Sequence, residues 1–138
     1  MGGGPAGLST ARSYRDAGGT APVTILAGEP HAPYLRPPLT KELLRSEMDV
    51  ADLPIEADSF FAEHEIELRT GVRVTEIDPE RRVVVTDGGE QVPFAACVIA
   101  TGSEPRRLPV PGGDDPDVVL VRTVELSLIH ISEPTRPY

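Results

Sequence analysis

Hydrophobic and polar positions change period several times along the chain, and each change marks an element. Between Pro5 and Asp16, Leu8, Ala11 and Tyr14 recur three apart, which predicts a helix with one apolar side. Ala17-Gly18-Gly19 ends it, because glycine adopts the left-handed backbone that closes helices. Val23-Thr24-Ile25-Leu26 is a short apolar run and predicts a buried strand. Thr40 is placed to cap a short helix over residues 41–45. Residues 51–57 read as a connecting loop, and 58–64 as a helix with Phe60 and Phe61 as core bulk; His64 at its end faces the helix dipole. Alternation then takes over through Val72, Val74 and Ile77, through Val83-Val84-Val85, and through Gln91-Val92-Pro93-Phe94. A turn at 78–82 and the hairpin signal Asp87-Gly88-Gly89 join these into a three-stranded meander. A buried strand is predicted through Cys97-Val98-Ile99-Ala100, stopping at Thr101-Gly102, and a last one at 118–121.

Turn, helix and strand at the start follow the order of a βαβ unit, so the fold class expected is α/β with a parallel sheet. The strand that should precede the first turn is missing, because Met1 stands directly before Gly2. In a doubly wound sheet that strand is central, and the domain is expected to be truncated at its start. The turn itself, Gly2-Gly3-Gly4-Pro5-Ala6-Gly7, fits G-x-G-x-x-G through Gly2, Gly4 and Gly7. The first glycine allows the tight turn, the second lets backbone approach a pyrophosphate, and the third lets helix pack closely on strand. Pro5 fits the first helical turn, where its missing N–H is not needed. The free N–H groups and the positive end of the helix dipole then face phosphates. The competing reading of such a stretch is a flexible leader.

Two further stretches bear on that choice. Glu29 falls 22 residues after Gly7, at the end of the second expected strand, where an acid accepts hydrogen bonds from a ribose hydroxyl; a solvated loop glutamate is the plainer alternative. In His31-Ala32-Pro33-Tyr34-Leu35-Arg36-Pro37-Pro38-Leu39-Thr40-Lys41, prolines stiffen a loop that presents Arg36 and Lys41. A fork and a point charge on a rigid arm suit fixed anions, although two solvated cations on a surface loop would read the same way. Thr101 and Gly102 occupy a strand's carboxyl end, where open α/β sheets gather ligands. Arg106 follows in a proline-punctuated turn.

Bulk properties narrow the partners. At 138 residues the chain has room for one domain of ordinary size. A formal charge of −9 argues against nucleic acid and anionic membrane surfaces as partners. Cys97 is the sole cysteine, so neither an intrachain disulfide nor a cysteine-rich metal cluster is expected, and its apolar surroundings predict an inert core thiol. No signal peptide or bilayer-length apolar run is visible, which makes a cytoplasmic protein the default expectation.

The last stretch differs in kind. Leu126-Ser127-Leu128-Ile129-His130-Ile131-Ser132-Glu133-Pro134-Thr135-Arg136 looks like one reading frame of a transposase adapter used in preparing sequencing libraries. Residues 126–138 are therefore set apart as an artefactual tail, against the alternative of a natural short strand and tail.

With these motifs in order, the chain resembles the FAD-dependent pyridine nucleotide-disulfide oxidoreductase superfamily. More narrowly it is similar to its ferredoxin and rubredoxin reductases, whose fold apoptosis-inducing factor shares. The most discriminating part is Pro33-Tyr34-x-Arg36-Pro37-Pro38-Leu39-Thr40-Lys41, with Gly71-x-x-Val74 and Ala100-Thr101-Gly102-Ser103-x-Pro105-Arg106 behind it. The resemblance implies a Rossmann-like FAD-binding domain over residues 1–125, truncated at both ends, with the NAD(P)-binding domain absent. It implies that Gly2, Gly4, Pro5, Ala6 and Gly7 line the FAD pyrophosphate and that Glu29 holds the adenosine ribose. Many relatives place that acid one position earlier, where this chain has Gly28. Arg36 would meet the phosphate and ribitol side, Val74 would present its backbone to the adenine, and Ala100, Thr101, Gly102 and Arg106 would close over the cofactor. Lys41, as the catalytic residue, would stand by the flavin's reactive nitrogen. The implied chemistry is hydride transfer from NAD(P)H to FAD, then single electrons to a ferredoxin or another iron–sulfur protein. Two other expectations stand beside it: an inactive gene fragment, and a flavin- or nucleotide-binding module without turnover.

Overall fold

The computed structural model describes residues 1–132. The chain divides into two compact units: Met1–Tyr34 with Pro54–Gly102, and Leu35–Leu53 with the segment from Ser103 onward.

In the first unit, helix α1 (Pro5–Asp16) turns Leu8 and Ala11 inward, as the three-residue spacing requires. Its C-terminus closes over Gly18, whose φ is +82°. Strand β1 (Val23–Leu26) follows and pairs in parallel with β2 (Ile66–Arg69), Val23 opposite Ile66 and Leu26 opposite Arg69. Between them helix α2 (Asp58–Glu63) supplies Phe61. Leu8, Ala11, Ile25, Phe61 and Ile66 form the core, with Val23, Ile55, Phe60 and Leu68 packed around it. At the end of α2, a ring nitrogen of His64 lies 2.9 Å from the Phe60 carbonyl oxygen, the dipole-end position that the sequence implied.

Arg15 ties these elements together. Its guanidinium donates to the carbonyls of His64, Gly19, Ala21 and Glu65 at 2.7–2.8 Å, joining the end of α1 to the turn before β2.

The predicted meander is present as β3 (Val74–Asp78), β4 (Val83–Thr86) and β5 (Gln91–Pro93), antiparallel in that order. Its second turn closes as Asp87-Gly88-Gly89 demanded: the Gly89 N–H donates to the Thr86 carbonyl at 2.9 Å, and Gly89 has φ +78°. Arg69 of β2 grips Glu90 beside that turn through both carboxylate oxygens. The hydrogen bonds to Glu90 raise the guanidinium above its ordinary pKa and, from the other side, hold the carboxylate below its own.

In the second unit a 3₁₀ helix, Pro37–Thr40, buries Pro38 and Leu39. A second one, Val50–Asp52, is closed by reciprocal side-chain bonds of Asp49 and Asp52. Helix α3 (Val124–Ser132) buries Val124 and Ser127, and the Ser127 hydroxyl donates to the Leu39 carbonyl at 2.7 Å. This helix takes in the first residues of the adapter-like stretch; residues 133–138 lie outside the described residues.

Several sequence expectations need correction. Strand β2 was not foreseen, because Ile66-Glu67-Leu68-Arg69 carries too short an alternation to stand out from its charged surroundings. Residues 41–45 form irregular turns rather than a helix: Lys41 has φ −133° and ψ −99°, and Thr40 ends a 3₁₀ helix instead of capping an α-helix. Residues 118–121 make no strand, because the Val118 N–H closes a turn onto Asp115 while Arg107 Nη1 reaches the Val118 carbonyl. The run Cys97-Val98-Ile99-Ala100 is neither laddered as a strand nor buried; Val98 is 50% and Ile99 65% exposed, and Cys97 is half-buried rather than a core thiol.

Candidate functional site

The glycine turn has the geometry that its spacing called for. Gly2 has φ +118°, a conformation open to glycine, and its N–H donates to the Leu26 carbonyl at 2.9 Å. A β-carbon on Gly2 would stand 2.0 Å from the Ala100 carbonyl oxygen, and one on Gly7 would stand 2.0 Å from the Gly2 carbonyl oxygen. Both positions are closed to any side chain. Gly4 is the opposite case: a β-carbon there would meet nothing within 4 Å. Its bareness is not needed for packing, so the surface it leaves open is available to something outside the chain. Gly3 is a constraint that the motif did not reveal, since its β-carbon would come 2.3 Å from that of Ala27. Only the close approach of β1's end to the turn makes this visible.

Helix α1 begins on that open surface. Gly4 is its N-cap with no side-chain cap, Pro5 stands in the first turn, and no acidic residue does. The Leu8 N–H, bonded to the Gly4 carbonyl at 3.2 Å, belongs to the first closed turn of the helix. The N–H groups of Ala6 and Gly7 precede that turn and emerge from the helix end, where the dipole favours an anion. A pyrophosphate fits this donor set: bare backbone beneath it, unclaimed N–H groups facing it, and no carboxylate in the helix's first turn to repel it.

The structure brings Gly2, Gly4, Pro5, Ala6, Gly7 and Ala100 together in the first unit. The Ala100 N–H donates to the Met1 carbonyl at 2.8 Å, which seats the end of the 97–100 run against the turn. Thr101 and Gly102 follow on the surface, Gly102 with φ +77°. Glu29 stands just after β1, where the Gly71 N–H donates to its carbonyl at 2.9 Å and the Tyr34 hydroxyl donates to its carboxylate. Val74 opens β3 opposite Thr86 and is half-buried.

Arg36, Lys41 and Arg106 belong to the second unit. Arg36 is half-buried, and its Nη1 donates to the Arg122 carbonyl at 2.7 Å, so the proline loop holds this guanidinium in a fixed place. The Lys41 side chain is exposed just past the 3₁₀ helix, and Arg106 lies in a fully exposed stretch. Among the described residues no group of His, Cys, Asp or Glu side chains is placed to hold a metal ion, and no helix is long and apolar enough to cross a membrane.

Comparison with known proteins shows the family and the fold. The ferredoxin–NAD(+) reductase subunit of the benzene 1,2-dioxygenase system of Pseudomonas putida is 37% identical over 123 residues, which is 89% of this chain and 30% of that protein. The ferredoxin reductase for the CYP199A2 system of Rhodopseudomonas palustris superposes with a TM-score of 0.85 at 35% identity, over 96% of this chain and 32% of that one. The covalent complex of putidaredoxin reductase with putidaredoxin matches with a TM-score of 0.74 at 30% identity, over 79% of this chain and 26% of that one. The chain thus spans about a third of the length of these relatives. The family model described as pyridine nucleotide-disulphide oxidoreductase matches residues 1–129, and the chain belongs to that family.

Proposed function

We propose that this chain forms the FAD-binding portion of an NAD(P)H-dependent ferredoxin reductase. The observation that carries this reading is the glycine turn: Gly2 and Gly7 are closed by packing while Gly4 is left open over the free end of α1. In this reading Gly2, Gly4, Pro5, Ala6 and Gly7 hold the FAD pyrophosphate, Ala100 and Thr101 border it, and Glu29 takes the ribose. Val74, Gly102, Arg36 and Arg106 are proposed as cofactor contacts on the motif alone.

FAD, when bound, supplies the conversion of a two-electron hydride donor into single-electron steps. The chain's own part is binding and electrostatics. Backbone N–H groups at α1 would neutralise phosphate charge, and Lys41, as the proposed catalytic cation, would supply positive charge to the flavin ring. NAD(P)H as donor and an iron–sulfur protein as acceptor are proposed from the names of the relatives, two of which are ferredoxin reductases and one of which is a reductase joined to putidaredoxin. A cytoplasmic location belongs to the same reading, as NAD(P)H is its electron source.

The test is flavin retention. The purified chain, titrated with FAD, is expected to quench flavin fluorescence at one equivalent, and Gly4→Val is expected to abolish the quench. Equal behaviour of the two proteins, or no retention by either, would reject the site.

A further inference from the structure

Tyr34 is 4% exposed, yet its hydroxyl is a polar group that is costly to bury unless it finds a partner. It donates to the Glu29 carboxylate. A hydrogen bond to an ionised acceptor is stronger than one between neutral groups. Phenylalanine would fill the same space with no hydroxyl to satisfy, so what the oxygen adds at this position is its hold on the acid.

The phenol is itself held in place. Tyr34 forms an isolated antiparallel bridge with Pro54, and the Ile55 N–H donates to the Pro33 carbonyl at 3.0 Å. The His31 ring stands edge-on to the Tyr34 ring, with centroids 6.2 Å apart and planes at 88°. The backbone around Glu29 is pinned separately. The Gly71 N–H donates to the Glu29 carbonyl at 2.9 Å, and the Val72 N–H donates to the Ala27 carbonyl at 2.8 Å. Two fixed backbones thus carry donor and acceptor, and the bond between them removes rotamer freedom that a half-buried glutamate otherwise keeps.

The acid also stands next to open surface. Gly28 is exposed, and a β-carbon on it would meet nothing within 4 Å. A β-carbon on Gly3 would come 2.3 Å from that of Ala27, so the glycine turn touches the chain one residue before Gly28. Gly4 and Gly28, next in sequence on the two sides of that contact, leave backbone uncovered from the start of α1 toward Glu29.

We propose that Tyr34 is a positioning residue, which fixes the Glu29 carboxylate as a preformed acceptor for the hydroxyls of the adenosine ribose. The inference rests on the proposed FAD site and adds a determinant of specificity to it. A carboxylate accepts hydrogen bonds at about four lone-pair positions, so donation by the phenol and donation by a ribose hydroxyl do not exclude each other. Because the acid is ordered before the ligand arrives, its ordering does not oppose binding. Only a ligand that carries the ribose hydroxyls gains from this, so the phenol acts on selectivity and not on flavin binding in general.

The test uses the full chain, Tyr34→Phe, Glu29→Ala and the double variant, with two readouts. In the flavin-free chain, carbon-13 relaxation of the Glu29 methylenes is expected to report an ordered side chain, and Tyr34→Phe is expected to release it. The second readout compares affinity for FAD with affinity for FAD lacking both hydroxyls of the adenosine ribose, measured by flavin fluorescence. The unsubstituted chain is expected to favour FAD by about tenfold or more, and Tyr34→Phe to cut that preference about three- to tenfold with the dideoxy affinity unchanged. The double variant is expected to lose no more of the preference than Glu29→Ala alone, because the phenol acts through the acid.

A disordered Glu29 in the unsubstituted chain would overturn the inference, and so would a Glu29 equally ordered in Tyr34→Phe. A tyrosine with only a structural role would lower both flavin affinities together and leave their ratio intact, which also rejects it. Binding of FAD with an unchanged ratio rejects the role of Tyr34 and spares the flavin site. Binding of neither flavin by any of the chains rejects the flavin site and the ribose role with it.

Discussion

Gly7 packs so closely on Gly2 that a β-carbon on the first would lie 2.0 Å from the carbonyl oxygen of the second. The turn and the first residues of α1 are thus one rigid piece, and stability and ligand binding separate within it. Gly7→Ala is expected to destabilise the chain by about 1–3 kcal/mol through overpacking, and to lose FAD with it. The β-carbon of Gly4→Val meets nothing within 4 Å, and the variant is expected to keep its thermal midpoint within a few degrees while losing FAD. Thermal unfolding and flavin titration of both variants check the split; equal losses of stability would contradict it.

Leu8 is the residue through which α1 grips the sheet, 2% exposed and packed in the cluster with Ile25 and Phe61. Leu8→Ala removes buried methyl groups and leaves a cavity, at an expected loss of about 2–5 kcal/mol. Ser9→Ala on the exposed side of the same helix is expected to change little. Urea midpoints of the two variants supply the comparison.

Arg36 and Lys41 are distinguished from ordinary surface cations by the stiff loop that carries them. In an intact reductase containing this sequence, Arg36→Ala is expected to lower FAD content, and Lys41→Ala to slow flavin reduction by NAD(P)H about tenfold, or about 1.4 kcal/mol of barrier. Arg45→Ala is the control, since Arg45 and its ion-pair partner Glu47, 3.1 Å away, both lie exposed to solvent, where such a pair adds little. Equal FAD content and reduction rates in all three variants would remove the case for this loop.

The Arg69–Glu90 pair gives a pH signature. Its hydrogen bond to Arg69 holds the Glu90 carboxylate below the ordinary 4.5, so the folded state favours the ionised form. The stabilisation from Glu90 is then complete above that ordinary value and is lost as pH falls through the lowered one. Glu90→Gln is expected to lower the thermal midpoint at pH 7 and to converge with the unsubstituted chain in acid. The gap should also narrow in high salt, because the pair is exposed to solvent. A gap that is constant from pH 7 to pH 3 would assign the effect to something other than ionisation.

Local signals carried most of this molecule. Leu8, Ala11 and the closing Ala17-Gly18-Gly19 specify α1 because helix periodicity and a left-handed stop act within a few residues. Asp87-Gly88-Gly89 specifies the hairpin in the same local way, and Gly2, Gly4 and Gly7 specify a turn whose roles are set by neighbours in sequence. Those positions were legible in the chain of letters. Gly3, β2 and the fate of the 97–100 run were not. Gly3 is forbidden a side chain by Ala27, β2 exists because β1 lies beside it, and the run holding the exposed Val98 and Ile99 joins no ladder among the described residues. Each depends on a partner remote in sequence. Residue type and spacing can say that a segment is able to be extended and apolar; whether it becomes a buried strand is settled by the backbone that arrives next to it, because a strand's hydrogen bonds, unlike a helix's, are made outside itself.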